Sequence, residues 1–138
     1  MRAVLVLISL LLFSPCARAA DEADRRAARA TIERQIEAFR KDDSATAYAQ
    51  AAPQIRNMFA SPEAFLAMVE KGYAPVLRPR SYGFTTSETA GEDEIAQGMA
   101  LQDENGVDWV ALYSLQKQAD GQWRITGCQL KKAPGDSA

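Results

Sequence analysis

The spacing of apolar residues changes character twice along the chain. Ala3 to Phe13 is an apolar run broken only by Ser9. From Ala28 to Val69 apolar positions return every three or four residues, and beyond Tyr73 they begin to alternate. The two later spacings are those of helices and of strands, in that order.

In the helical part, Ala28, Ile32, Ile36 and Phe39 form one stripe, with Glu33, Arg34, Glu37 and Arg40 opposite. That pattern predicts an amphipathic helix lying on an apolar surface. The charged, alanine-rich residues 21–29 read as a lead-in whose first turns fray. Lys41-Asp42-Asp43 ends the helix, and Asp43 is a good N-cap for the next, because its carboxylate accepts from free N–H groups of the first turn. Ala45, Tyr48, Ala49 and Ala52 give that second helix a stripe of mostly small residues, and Pro53 divides it from a turn carrying Ile55, Met58 and Phe59. Ser61-Pro62 combines a cap with proline at the first helical position. Phe65, Met68 and Val69 are the core face of the helix that follows, and Gly72 is expected to close it in left-handed geometry.

Pro75, Pro79 and extended residues mark the change at Tyr73. Strands are predicted at about 80–88, 94–103, 107–118 and 122–131. Glu104-Asn105-Gly106 and Asp120-Gly121 are hairpin signals, since these residues tolerate the positive φ that tight turns need. Trp109, Ala111, Tyr113 and Leu115 alternate on the third strand, and Trp123, Ile125 and Gly127 on the fourth. Gly83 and Gly98, inside strands, predict bulges or bends. Helices followed by an antiparallel meander predict an α+β fold, with N-terminal helices packed on a strongly bent sheet of about four strands. The matching core is Ile32, Ile36 and Phe39 against Trp109, Tyr113, Trp123 and Ile125.

The first apolar run changes the picture of where the protein works. Arg2 precedes it, Ser14-Pro15 ends it, and Ala17-Arg18-Ala19 offers the small residues a signal peptidase accepts. It is shorter than the ~20 residues of a membrane span, and Pro15 ahead of Cys16 is unsuited to a lipoprotein site. Residues 1–19 therefore read as a signal peptide, cleaved after Ala19 or Ala20, with a single α+β domain over 20–138 that is periplasmic or secreted. Removing Arg2 and Arg18 takes the formal charge from −2 to −4. No basic stripe remains for a phosphate backbone, so nucleic acid is not expected as a partner, nor is stable membrane insertion after cleavage. With Cys16 gone, Cys128 is the single remaining cysteine, and no intramolecular disulfide is available. It shares strand parity with Arg124, Thr126 and Leu130, which leaves its face open; it is expected to be shielded by the helices or by a partner subunit.

A more specific pattern runs through Gln35-Ile36-Glu37-Ala38-Phe39, Asp42-Asp43, Ala52-Pro53-Gln54-Ile55, Met58-Phe59, Ser61-Pro62, Phe65, Met68-Val69 and Gly72-Tyr73-Ala74-Pro75-Val76. It closes on Asp120-Gly121-Gln122-Trp123-Arg124-Ile125-Thr126-Gly127-Cys128-Gln129-Leu130. These residues, over about 31–131, resemble the bacterial domain-of-unknown-function family 4864. The order of elements resembles the nuclear transport factor 2-like (ketosteroid-isomerase-like) fold, a cone whose sheet wraps its helices. The resemblance implies that fold and brings no activity.

Chemistry is bounded mainly by what is missing. With no histidine, Ser-His-Asp and Cys-His catalysis and histidine-based zinc sites are excluded. One cysteine supplies no thiolate cluster, and no glycine-rich phosphate loop follows a strand. Metal ions and cofactors are not expected. Asp103 and Asp108 flank the Asn-Gly turn as solvated carboxylates, and Asp42 and Asp43 read as caps. Arg78 and Arg80, held extended by Pro79, are either a fork for one anion or a solvated strand entry with ordinary ion pairs. Tyr48, Tyr73 and Tyr113 are candidate cavity-lining contacts, with core packing as the plainer role. The function expected is a non-catalytic binding or interaction module, with a small ligand or protein as partner, or a homodimer through the sheet face. The alternative is a small lyase- or isomerase-like enzyme with a carboxylate base in the cone.

Overall fold

The computed structural model describes residues 20–134, so the signal-peptide reading of residues 1–19 lies outside the described residues. Five helices come first: α1 Glu22–Arg40, α2 Ser44–Ala49, α3 Pro53–Arg56, α4 Pro62–Gly72 and α5 Ala74–Leu77. Four strands follow, β1 Ser81–Ala90, β2 Glu94–Gln102, β3 Asp108–Lys117 and β4 Trp123–Lys132. They form one antiparallel sheet in the order β1-β2-β3-β4. The fold is α+β, with the helices packed on one face of the meander.

The helix boundaries follow the capping chemistry. Asp43 accepts from the Thr46 N–H and opens α2, and Ser61 accepts from the Ala64 N–H and opens α4 ahead of Pro62. The start of α1 differs from expectation. It does not fray, because Asp21 and Asp24 form a reciprocal capping box. Asp24 also accepts from the Trp123 indole at 3.2 Å, which ties the first turn to β4. The stripe on α2 differs as well: Ala45 and Ala49 are exposed, Tyr48 is half-buried, and Ala47 is the buried position. The helix is too short for a periodic stripe to set its rotation; the chain beyond it does. Ala51 makes a parallel bridge to Ile125, with the Ala52 N–H donating to Ile125 O at 2.7 Å and the Ile125 N–H to Gln50 O at 2.9 Å. These bonds cover the free edge of β4 at Ile125.

Two further expectations change. Gly72 stays helical, since left-handed glycines occur at Gly91, Gly106 and Gly121. The stretch after Tyr73 is not fully extended either; Pro75, in the first turn of α5, starts one helical turn.

The strand pairing decides which residues face the helices. In β1 Thr85 and Thr86 stand opposite the single residue Gly98 of β2, a bulge between Phe84 and Ser87. A Cβ at Gly98 would lie 2.5 Å from Thr85 Oγ1, so a larger residue across from that bulge would force the threonine to move. In β4 Thr126 is the extra residue, because Leu115 pairs with Ile125 but Ser114 pairs with Gly127. The inner face then reads in rows across the sheet: Phe84, Met99, Ala111 and Leu130, and farther along Thr89, Ile95, Leu115 and Ile125. Ile32, Ile36 and Phe39 of α1 lie in one buried cluster with Tyr113, Leu115, Trp123 and Ile125, and Trp109 packs at its margin. Burying a side chain such as Ile32 or Ile36 contributes about 1.5–3 kcal/mol. Phe65 of α4 binds the helical layer together, its ring 5.6–6.4 Å from Phe59, Tyr48 and Phe39.

Candidate ligand-binding cavity

Between the helical layer and the β3–β4 side of the sheet is a cavity of about 110 Å³. Its helical wall comes from Gln35 and Phe39 of α1, Ile55 of α3, Phe65, Met68 and Val69 of α4, and Val76 of α5. Ala51 and Tyr73 contribute from the connections, and Tyr113, Ile125, Gly127 and Cys128 from the strands. Ile55, Met68, Tyr73, Gly127 and Cys128 are only partly buried while the rest are buried, so the cavity meets solvent on the side of α3, α4 and β4. No charged side chain lines it.

The bulge at Thr126 puts Cys128 there. Without the extra residue Cys128 would point away from the helices; with it, Cys128 stands opposite Tyr113 on the inner face. Burial pushes the Cys128 thiol up to about 12, and the neighbouring Tyr113 hydroxyl pulls the other way without overcoming it. Tyr113 is 1% exposed, and burial raises its phenol well above the ordinary value of 10.0, with Cys128 and Tyr82 adding to the rise. Both groups therefore stay protonated at neutral pH. The Tyr113 hydroxyl lies beside the thiol without a hydrogen bond of good geometry, and no other protein group bonds it. Gln35 faces the same space, its Nε2 donating to Ala47 O at 3.1 Å.

Tyr113 and Cys128 end a row that crosses the whole sheet: Ser87, Gln97, Tyr113 and Cys128 stand opposite one another on successive strands. This row is polar where the two rows above are almost wholly apolar. Gln97 is fully buried and donates to Thr86 O and Gly98 O. Its Oε1, the Ser87 hydroxyl and the Tyr113 hydroxyl are buried without partners. Buried polar groups normally find partners, so three such atoms in one row set it apart from the surrounding core. Sequence reasoning passed over Gln97, although a lone glutamine between Ile95 and Met99 on the inward parity of β2 is a readable signal.

Of the candidate contacts, Tyr73 and Tyr113 come together on the cavity, and Tyr48, Arg78 and Arg80 do not. Tyr48 donates its hydroxyl to Arg56 O at 2.7 Å. Arg78 donates to Asp42 Oδ1 at 2.6 Å and to Arg40 O at 3.2 Å. Arg80 donates to Glu104 O at 3.1 Å. The two guanidinium groups thus serve separate partners, one at the end of α1 and the other at the β2–β3 hairpin. Asp103, in that hairpin, accepts from the Asn105 and Val107 N–H groups and the Trp109 indole. Among the described residues, no group of three or more His, Cys, Asp or Glu side chains is placed to hold a metal ion. Also among them, no helix is long and apolar enough to cross a membrane.

The sequence profile of a family described as a domain of unknown function (DUF4864) matches residues 21–138. The chain belongs to this family. No protein with a curated description matches it. The fold of this DUF4864 domain is similar to the crystal structure of an NTF2-like protein of unknown function from Shewanella baltica OS155. The TM-score is 0.53 at 12% identity, over 82% of this chain and 96% of that one. At that identity the likeness concerns the fold, which is nuclear transport factor 2-like.

Proposed function

We propose that this DUF4864 domain is an exported, non-catalytic binding module that takes a small molecule into its cone cavity. The observation that carries the reading is the Tyr113 hydroxyl, buried beside an apolar cavity with no protein partner. A packed core rarely leaves such a group unpaired, whereas a binding site uses a few placed polar groups within apolar walls. No Asp or Glu lines the cavity, and a phenol held protonated is a donor rather than a base, so the binding reading stands ahead of the lyase or isomerase alternative. Titration with cyclohexanone, followed through the amide resonances of Gly127 and Cys128, tests it. Saturable shifts that disappear in Met68→Trp, where a larger side chain closes the mouth, are expected; no shift at these residues would sink the proposal. The export component predicts that intact-mass analysis of periplasmic material finds a chain beginning at Ala20 or Asp21, and full-length protein in the cytoplasm would overturn it.

A second reading is favoured by Val110 and Leu112, exposed at 43% each on the outward face of β3. In it, two copies associate through the outer face of the sheet. Sedimentation equilibrium of the wild type and of Leu112→Lys tests this, with a dimer that the charge dissociates as the expected result.

A further inference from the structure

We propose, building on the cavity-binding reading, that the cavity selects compact neutral molecules carrying a hydrogen-bond-accepting oxygen, and that Tyr113 engages that oxygen through its hydroxyl hydrogen. Size comes first. The cavity, at about 110 Å³, is below the roughly 300–1,000 Å³ of sites for drug-sized ligands and close to the ~150 Å³ of an engineered apolar cavity that admits benzene. A single ring or a short branched chain fits; a steroid or a nucleotide does not.

Charge comes second. No arginine, lysine or carboxylate lines the cavity, so a carboxylate or ammonium ligand would lose its hydration and gain no counter-charge. The ligand is therefore neutral. Polarity comes third. Tyr113 offers a hydroxyl hydrogen that no protein acceptor takes, and the thiol next to it is a weak donor and a weak acceptor. A ketone, ester, amide or ether oxygen complements this pair. An incoming oxygen reaches the hydroxyl as the Cys128 thiol, on the half-exposed side of the cavity, turns about its one side-chain bond.

Three probes of nearly equal shape separate the ideas: cyclohexanone, methylenecyclohexane, in which CH₂ replaces the oxygen, and cyclohexanecarboxylate. Their dissociation constants are measured by protein NMR on the wild type and Tyr113→Phe. One neutral hydrogen bond inside a protein corresponds to about threefold to tenfold in affinity. The wild type is expected to prefer cyclohexanone over methylenecyclohexane by that factor and to bind the carboxylate weakest. Tyr113→Phe should lose the preference while still binding methylenecyclohexane. Equal binding of the two neutral probes by the wild type overturns this inference and leaves the cavity reading intact. A preference that survives Tyr113→Phe, or a carboxylate that binds tightest, overturns it too. If no probe binds, the cavity reading falls and this inference falls with it.

Discussion

Tyr113 keeps a phenol hydroxyl inside the protein with no partner, and a buried group in that state costs about 1–3 kcal/mol. Replacing it with phenylalanine removes the unpaired oxygen and preserves the ring. Tyr113→Phe is therefore expected to raise the free energy of unfolding by about 1 kcal/mol in urea; a loss of stability would show that the hydroxyl is satisfied in solution. Cys128 lends itself to a kinetic test. With its thiol pushed up to about 12, roughly 10⁻⁵ of it is thiolate at pH 7, against a few per cent for an ordinary cysteine. A maleimide should label the native protein slowly and the urea-unfolded protein rapidly. Fast native labelling would place the thiol in a more polar setting than the cavity. The expected shielding of Cys128 is met in part, since the residue faces the helices but stays partly exposed at the cavity, and its face was not legible. Simple parity puts it with Arg124, and the extra residue Thr126 reverses that assignment.

At the scale of elements, the capping residues and turn glycines state their roles locally, so the starts of α2 and α4 and the hairpins at Gly106 and Gly121 are readable in the sequence. The rotation of α2 is not, because the bonds joining residues 50–52 to Ile125 set it from across the molecule. The packing of α1 on β4 carries the clearest energetic contrast. Trp123 is 2% exposed and its indole donates to Asp24, so Trp123→Ala should cost about 3–5 kcal/mol, a large part of the ~5–15 kcal/mol that holds such a domain folded. Arg78→Ala and Arg80→Ala, at exposed positions, should each change stability by about 1 kcal/mol or less. Chemical denaturation of the three variants checks the ordering, and an arginine variant as damaging as Trp123→Ala would contradict the separate surface roles described for the pair.

Over the whole molecule, acid sensitivity has an identifiable origin. At Asp24, burial raises the carboxyl, but bonds from the Asp21 N–H, the Trp123 indole and Lys117 outweigh it and hold it below its ordinary value of 3.8. The Trp109 indole and the Val107 N–H lower Asp103, and the bonds from Thr46 lower Asp43. A carboxyl lowered by folding contributes stability that is present above its unfolded value and is lost as pH falls through its folded value. The urea midpoint should accordingly stay level down to about pH 5 and drop below about pH 4. Asp24→Asn, which removes one titrating group between α1 and the β3–β4 hairpin, should make that drop shallower; a drop unchanged in depth would rule out Asp24 as a contributor. The order of the longer helices and the strands, the caps of α2 and α4, the hairpins at Gly106 and Gly121 and the stripe of α1 could be read from the chain, because each depends on side chains only a few residues apart. The capping box of α1 and the single turn of α5 were missed. The polar row and the inward face of Cys128 could not be read, although Tyr73 and Tyr113 were readable as candidate cavity contacts. They exist because two bulges shift strand register, bringing Ser87, Gln97, Tyr113 and Cys128 into line from four strands. Register is a property of paired strands, and a spacing of two along any single strand does not contain it.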